Sequence, residues 1–108
     1  MHDATILVMT HVPDRRCADA LAKALIDRRL AACVNIGAPV ESMYHWRGQI
    51  ETASEIPVAI KTRGALYPDI ESAIRALHPY ELPEVIAVPI VDWHRAYLDW
   101  IAAETGAA

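Results

Sequence analysis

The stretch VESMYHWRGQIETASEIPVAIKTR, residues 40–63, decides the fold because it holds two extended segments joined by a short turn. In the first segment, residues 40–46, alternate side chains share one predicted face: Val40, Ser42, Tyr44 and Trp46. A turn is predicted at residues 47–49, and Ile50 and Glu51 begin the return. Residues 55–63 then predict a strand that carries Lys61 on the face opposite its aliphatic side chains. The result is a β-hairpin that is unusually long for so short a chain.

Shorter predicted elements flank the hairpin on both sides. Residues 5–11 and 32–36 are rich in β-branched and aliphatic side chains and predict two strands, the second of which is bent by a Gly-Ala-Pro stretch. Residues 85–91 predict the last strand. Apolar side chains at helical spacing predict two helices between the strands, over about residues 14–29 and 68–78. Strands and helices therefore alternate along the chain.

A short helix is expected to close the chain, because apolar side chains recur at helical spacing at Trp93, Tyr97, Trp100 and Ile101. The order β-α-β-β-α-β plus this tail helix predicts an α+β, ferredoxin-like sandwich with two helices on one face of an antiparallel sheet. The sequence contains no linker, repeat or low-complexity tract. Residues 1–108 are therefore expected to form one domain with an extended hairpin between the second and third strands.

The composition excludes several functional classes. The net charge is −4 at pH 7, whereas nucleic-acid-binding domains carry a basic face, so no nucleic-acid partner is expected. No apolar run approaches the roughly 18 residues that cross a membrane, and the start lacks the basic segment of a signal peptide. The two cysteines do not form a disulfide framework. We expect a cytoplasmic protein without a membrane partner.

The same composition predicts self-association. The chain is 54% hydrophobic, and a domain of 108 residues buries only roughly two-thirds of the surface that its unfolded chain exposes. The long hairpin would also leave strand edges that are open to pairing with another chain. An oligomer accommodates both features.

A proline-rich segment, LHPYELPEVIAVPI at residues 77–90, supplies the first candidate site residues. Pro79 and Pro83 fix their own φ angles and stiffen the segment around Tyr80 and Glu81. A rigid segment presents side chains for binding at a low entropic cost, and it equally suits a connection from a helix to a strand. The residues alone leave both interpretations open.

Taken together, these segments resemble the CutA, or divalent-cation tolerance, family. The resemblance rests on five stretches in order, with YLDWI fitting the family's tail: THVPD (10–14), RLAACVNI (29–36), SMYHWRGQIE (42–51), SEIPVAIKTR (54–63) and LHPYELPEVIAVPI (77–90). It implies a homotrimer of ferredoxin-like subunits whose long hairpins pair with one another. It also implies a role in the tolerance of copper and other divalent metal ions.

The resemblance raises the question of a metal ligand at His78, because a neutral imidazole suits copper. Some members of the family carry a second histidine just before this position and a cysteine in the first strand. Here those positions are Leu77 and Thr10, neither of which is a good copper ligand. Copper or another divalent ion is therefore expected to bind weakly, without a tightly held cofactor.

Three other residues have two interpretations each. Lys61 is either a solvent-facing or carboxylate-paired lysine or a clamp for a small anion between subunits. Cys33 is either a packed thiol or a soft ligand that faces a cleft. Trp46 is either part of an apolar subunit contact or the cap of a ligand pocket. In the functional interpretation, these three residues join Tyr80 and Glu81 in one ligand site between subunits.

Two functions are consistent with these observations. The first is a metal-tolerance trimer that binds divalent ions weakly. The second is a small-molecule binding or signalling trimer, similar to the nitrogen-regulatory PII proteins, with anionic ligands in the clefts between subunits. A third interpretation is a structural module whose cleft is only a seam. The sequence contains no triad order, phosphate-binding loop or metalloprotease motif, so an enzyme is not expected.

Overall fold

The computed structural model describes residues 4–106 of the chain. In chain order the elements are β1 (Thr5–Val12), α1 (Arg15–Asp27), β2 (Cys33–Ile36), β3 (Val40–Trp46), β4 (Gln49–Arg63), a 3₁₀ turn (Gly64–Leu66), α2 (Tyr67–Leu77), β5 (Ile86–Pro89) and α3 (Arg95–Glu104). Within the described residues, no helix is both long enough and apolar enough to cross a membrane.

The long strand β4 organises the sheet. Its C-terminal half lies between β1 and β2, and its N-terminal half pairs with β3 alone. The register aligns Lys61 with Leu7 on one side and with Cys33 on the other. Strand β5 pairs with the other edge of β1, and every pairing is antiparallel. With β2 and β3 counted as one interrupted strand, this is the predicted ferredoxin-like β-α-β-β-α-β fold.

The predicted hairpin is confirmed and ends in a tight turn. Trp46 pairs with Gln49, so the loop contains only Arg47 and Gly48. Both loop residues have positive φ angles, 52° and 79° respectively. Two positive φ angles in a two-residue loop define a type I′ turn, whose twist matches that of paired strands. The chemistry of this turn therefore fixes the register of the hairpin.

The boundaries of two strands differ from the prediction. The bend predicted at residues 37–39 divides the second strand completely into β2 and β3, and the backbone at Gly37 passes so close to Pro57 that an added Cβ would lie 2.9 Å from the proline Cγ. Strand β4 begins at Gln49, one residue before the predicted return at Ile50, and runs without interruption into the strand predicted over residues 55–63. Residues 49–54 show little apolar alternation, and it is their pairing with β3 that holds them in a strand.

Helices α1 and α2 cover one face of the sheet and enclose the core. The Asp14 carboxylate accepts a hydrogen bond of 2.8 Å from the Cys17 amide, which confirms the predicted N-cap of α1. Helix α2 has a proline in its first turn and ends before Pro79, as predicted. The largest fully buried apolar side chains between these layers are Val8, Val12, Leu21, Leu25, Val58, Ile60, Ile70 and Ile74.

Helix α3 lies beside the C-terminal end of β4, on the sheet face that α1 and α2 leave uncovered. It buries Ile101 almost completely. Arg63 of β4 ties the end of the helix to the sheet, because its Nε donates to the Thr105 hydroxyl and its Nη2 to the Thr105 carbonyl, each at 2.9 Å. Trp93, which was predicted to belong to the helical stripe, precedes the helix and is exposed.

Candidate functional site

A cleft of about 710 Å³ opens at the root of the hairpin, where β3 and β4 face the segment that connects α2 to β5. Its aromatic walls are Tyr44, Trp46 and Tyr80. Its acidic groups are Glu51, Glu55, Glu81 and Glu84. Its nitrogen-bearing side chains are Arg47, His11 and His45. Pockets that bind small molecules are typically about 300–1,000 Å³, so this cleft is large enough for one.

His78 fixes the connecting segment from inside the protein. The side chain is buried, and its Nε2 lies 2.6 Å from the carbonyl oxygen of His11. Its Nδ1 accepts a hydrogen bond of 3.1 Å from the backbone amide of Tyr80. A carbonyl can only accept and an amide can only donate, so these partners assign the ring proton to Nε2.

This geometry gives His78 a structural role. Both ring nitrogens bond to the backbone, and a metal ion could bind only after one of those bonds broke. The imidazole ring also packs against the ring of Tyr80, with 4.5 Å between the ring centroids. The histidine therefore holds Tyr80 in place at the floor of the cleft.

Tyr80 and Glu55 form the most enclosed polar contact of the cleft. The Tyr80 hydroxyl donates to the carboxylate of Glu55, which lies in β4 and is only 7% exposed. Burial of the phenol, followed by this hydrogen bond and the negative charge of Glu55, raises the pKa of Tyr80 to about 12. The phenol is therefore protonated at neutral pH and remains a hydrogen-bond donor.

An ion pair and a histidine–carboxylate contact connect the segment to the strands. Arg47, at the tip of the hairpin, lies 2.6 Å from a carboxylate oxygen of Glu81, and both side chains are exposed. His11, near the end of β1, lies 2.8 Å from Glu84. Exposed pairs of this kind contribute little to stability, so their main effect is to position the segment against the hairpin.

The cleft has an acidic balance. Four carboxylates face one guanidinium, and the two histidines carry no charge when neutral. The Arg47 guanidinium also lies 5.1 Å from the centroid of the Trp46 ring, within the range of a cation–π contact. This surface combines aromatic faces with carboxylates, which is the chemistry that attracts cations.

The structure brings together three of the five ligand-site residues proposed from the sequence. Trp46, Tyr80 and Glu81 line the cleft, whereas Cys33 and Lys61 lie opposite each other on β2 and β4. Lys61 is six residues along β4 from the cleft residue Glu55, which is roughly 20 Å in an extended strand. Within one subunit, the five residues therefore form two separate groups.

The second group lies beside helix α3. The Lys61 ammonium is 5.7 Å from the centroid of the Tyr97 ring, and Tyr97 stacks on Trp100 with their centroids 5.5 Å apart. Within residues 4–106, Lys61 has no carboxylate partner. The Cys33 thiol contacts the Asn35 side-chain oxygen at 3.7 Å. Lys61 therefore contacts an aromatic ring instead of an acidic side chain.

The sequence did not mark Glu55 or Glu84 as residues of the site. Each contacts a residue that is distant in the chain: Glu55 bonds to Tyr80, and Glu84 pairs with a histidine 73 positions away. Spacing along a sequence does not reveal such contacts. One signal was present for Glu55, since it is a charged residue at the start of a predicted strand whose following residues are apolar.

The two positions at which this sequence departs from some family members lie apart from the cleft lining. Thr10 is buried, and its hydroxyl has no hydrogen-bond partner among the described residues. The side chain of Leu77 is exposed at the end of α2. In residues 4–106, no group of three or more His, Cys, Asp or Glu side chains is arranged to hold a metal ion. The described chain thus contains no preformed metal site with three or more such ligands.

Comparison with known proteins gives a consistent family assignment. The sequence model described as "CutA1 divalent ion tolerance protein" matches residues 6–104. The divalent-cation tolerance protein CutA of Thermus thermophilus is 41% identical over 100 residues, which are 93% of this chain and 97% of that protein. Human protein CutA is 41% identical over 93 residues, 86% of this chain, but this match spans only 52% of the human protein.

Solved structures agree with the sequence comparison. CutA1 from Shewanella sp. SIB1 superposes with a TM-score of 0.94 at 40% identity. The superposed region covers 99% of this chain and 100% of the Shewanella chain. The Thermus thermophilus protein superposes with a TM-score of 0.92 at 40% identity and covers 94% and 99%, respectively. The match of fold, length and sequence places the chain in the CutA1 divalent ion tolerance family.

Proposed function

We propose that this protein contributes to divalent-cation tolerance as a cytoplasmic homotrimer that binds copper and other divalent ions weakly and directly. The observation that supports direct binding is the pair formed by His11 and Glu84 at the edge of the cleft, with 2.8 Å between ring nitrogen and carboxylate oxygen. Imidazole and carboxylate are both ligands of divalent transition metals. A metal ion would take the place of the proton between them.

Two protein ligands predict weak binding. The remaining coordination positions would be filled by water or by donors from a neighbouring subunit, so little of the ion's hydration would be replaced. Both side chains are partly exposed, which leaves a path for ions to enter and leave. A tolerance function that depends on reversible capture requires this kind of site.

Copper(II) titration calorimetry tests the metal site. His11→Ala and Glu84→Gln should each remove most of the binding heat, because each removes one of the two protein ligands. His94→Ala is the matched control, since His94 is an exposed histidine at the start of α3 and does not line the cleft. Equal heats for the wild type, His11→Ala and Glu84→Gln would refute this site.

The trimer is supported by the strand edges that a single subunit leaves open. In residues 4–106, β3 pairs only with β4. The hairpin exposes 71% of Met43 and 68% of Ile50. Strand β5 is exposed along its whole length. Open edges with apolar side chains favour pairing with another copy of the chain, which would also bring clefts and neighbouring subunits together.

A second candidate function is a PII-like small-molecule or signalling trimer whose ligands bind between subunits. The supporting observation is Lys61, which is half-buried beside Tyr97 and Cys33 without a carboxylate partner in the described chain. A small anion would neutralise that ammonium. In the trimer, this group could face the Trp46, Tyr80 and Glu81 group of a neighbouring subunit.

Thermal-shift assays distinguish this candidate from metal binding. A polycarboxylate or phosphorylated metabolite should raise the unfolding temperature of the wild type, since a ligand that binds only the native state stabilises it. Lys61→Met should abolish the shift, and Lys23→Met, which changes an exposed lysine on α1, should retain it. Stabilisation by metals alone would exclude the anion site.

A non-enzymatic function is also part of the proposal. It is supported by the hydrogen bonds of the two thiols within residues 4–106: the Cys17 thiol donates to the Leu77 carbonyl and the Cys33 thiol to the Asn35 side-chain oxygen, and neither of these acceptors is a base that could activate a thiol. Burial and the negative charge of Asp14 raise the pKa of the Cys17 thiol, which makes it less nucleophilic at neutral pH.

The cytoplasmic location rests on the free thiols, since cysteines remain reduced in that compartment. Relatives differ in location: the Arabidopsis thaliana protein is named chloroplastic, and the Archaeoglobus fulgidus protein is described as periplasmic. Cell fractionation with antibody detection tests the proposal. Recovery of the protein outside the cytoplasmic fraction would refute it.

A further inference from the structure

We propose that the cleft at the root of the hairpin binds a small organic cation, of the primary amine or diamine class. This ligand differs from the divalent metal ions of the proposed function and from the anions of the second candidate. Three features support it. They are the aromatic walls, a buried carboxylate that lacks a cationic partner, and a cation of the protein itself that already lies between an aromatic ring and a carboxylate.

The first feature is the aromatic lining. Tyr44 and Trp46 extend from the same face of β3, and Tyr80 lies opposite them on the connecting segment. The faces of these rings carry negative potential and attract organic cations, most strongly at tryptophan. Metal ions gain little from such walls, since they require oxygen, nitrogen or sulfur ligands.

The second feature is Glu55. It lines the cleft but is only 7% exposed, and its one side-chain partner among the described residues is the Tyr80 hydroxyl. A carboxylate has acceptor positions for about four hydrogen bonds, so one phenol leaves most of that capacity unused. Burying a charge without a counter-charge is costly, and an ammonium with three donors would supply both the charge and the hydrogen bonds.

The third feature is an arginine of the protein itself that is bound by an aromatic ring and a carboxylate of the cleft. The guanidinium of Arg47 lies over the Trp46 ring at 5.1 Å and against a Glu81 oxygen at 2.6 Å. This cation is thus held between an aromatic face and a carboxylate at the outer edge of the cleft. Deeper in the cleft, Tyr80 and Glu55 repeat the combination of ring and carboxylate without a cation from the described chain.

The negative net charge of the cleft favours a positively charged ligand. Four carboxylates against one guanidinium repel an anion, and Arg47 is already paired with Glu81. The volume of about 710 Å³ exceeds that of a bare ion and lies in the range of pockets for small molecules. A linear diamine could place one ammonium at Glu55 and the other near the carboxylates at the opening.

The experiment is titration calorimetry of the full-length protein with 1,4-diaminobutane, and with 1,4-butanediol as an uncharged molecule of similar length. The diamine should bind the wild type and the diol should not. Glu55→Gln should weaken diamine binding about tenfold or more, because it removes the charge but retains an acceptor for Tyr80. Glu41→Gln is the matched control, since it removes an exposed charge from the same hairpin outside the cleft lining, and should bind within about twofold of the wild type.

Several results would overturn the proposal. They are no saturable binding of the diamine, equal binding of the diol, or unchanged binding by a folded Glu55→Gln. Equal losses in Glu55→Gln and Glu41→Gln would show a diffuse charge effect instead of a site. If Glu55→Gln does not fold, Trp46→Leu decides, because loss of the aromatic face should weaken the diamine about fivefold or more. A cleft already filled by a lysine of a neighbouring copy would give no diamine binding and also refutes the proposal.

The outcomes for metal ions and for amines are separable. Copper titration depends on His11 and Glu84, whereas diamine titration depends on Glu55 and Trp46. Glu55→Gln should therefore leave the copper heat unchanged, and His94→Ala should leave both titrations unchanged. Diamine binding without copper binding would remove the proposed metal function and leave this inference intact.

Discussion

At the scale of single residues, His78 has a role that its chemistry alone does not reveal. An imidazole before a proline is an equally good metal ligand or structural bridge, and only the partners distinguish the two roles. Here the carbonyl of His11 and the amide of Tyr80 occupy both ring nitrogens. These partners are close in space but, in the case of His11, 67 positions away in sequence. The sequence therefore could not assign the role.

His78→Ala should destabilise the fold by about 2–4 kcal/mol, because it removes the buried ring and leaves a buried carbonyl and amide without partners. Urea unfolding measures the loss. Copper binding by the folded fraction should match that of the wild type. His94→Ala, at an exposed position, should change stability by less than about 0.5 kcal/mol. Wild-type stability together with lost copper binding would restore His78 as a metal ligand.

Tyr80 gives a second test at the residue scale, through pH. Its pKa is raised to about 12 in the folded protein, above the ordinary value of about 10. The protonated phenol is therefore favoured by folding, so its contribution to stability is complete below about pH 10 and is lost as the pH rises towards 12.

Burial also raises the pKa of Tyr67, so ultraviolet titration of tyrosinate should show two of the four tyrosines ionising late, with Tyr80 at about pH 12. Tyr80→Phe should remove the step at about pH 12. Glu55→Gln should lower the pKa of Tyr80, because it removes one of the negative charges that oppose ionisation. A step at about pH 12 that persists in Tyr80→Phe would be assigned to another tyrosine.

At the scale of elements, the sequence predicted which segments form strands and the bend at residues 37–39, but not the full length of β4. Apolar alternation marks residues that face a core, and residues 49–54 have no core to face. Their strand exists because β3 lies beside them. At the break between β2 and β3, the backbone of Gly37 lies close to Pro57, a contact across twenty positions of the chain.

Gly37→Ala tests that contact. The new methyl group would meet Pro57 Cγ at 2.9 Å, and a proline ring cannot move aside freely, so we expect a loss of about 1–3 kcal/mol. Pro57→Ala removes the obstructing ring atoms. The double variant should therefore lose less than the sum of the two single variants, which a double-mutant cycle by chemical denaturation measures. If the losses in unfolding free energy of the two single variants simply add in the double variant, the contact with Pro57 does not restrict the side chain at position 37.

At the scale of the whole molecule, the site could be predicted only in part because it is assembled from distant segments. Face alternation placed Trp46 on the hairpin, and Trp46, Tyr80 and Glu81 do line one cleft. Cys33 and Lys61 were grouped with them because a thiol and an ammonium among apolar neighbours suit a ligand cleft, whereas the strand register sets them beside α3. Sequence spacing fixes the face on which a side chain lies but not its distance from another segment.

The oligomeric state is the prediction that belongs to this scale. Light scattering should give a mass near three times 11.9 kDa. Ile50→Lys should shift the protein towards the monomer, because it places a charge on an exposed apolar position of the hairpin edge. Ile26→Lys, at an exposed apolar position on α1, is the matched control and should retain the wild-type mass. A wild-type mass of one subunit would refute the trimer.

Two different interactions hold the two ends of the hairpin: an exposed ion pair at the tip and a buried hydrogen bond at the root. Because salt screens only the exposed pair, we expect the cleft to respond to ionic strength. Arg47 and Glu81 hold the tip through an exposed ion pair, which dissolved salt screens over about 8 Å at physiological concentration. The Tyr80–Glu55 bond at the root is shielded from salt by burial. Concentrated salt should therefore weaken the contact at the tip of the hairpin, while the contact at its root is retained. Hydrogen exchange should then accelerate for the amides nearest the turn and remain slow beside Glu55. The salt concentration would thereby control how widely the cleft opens.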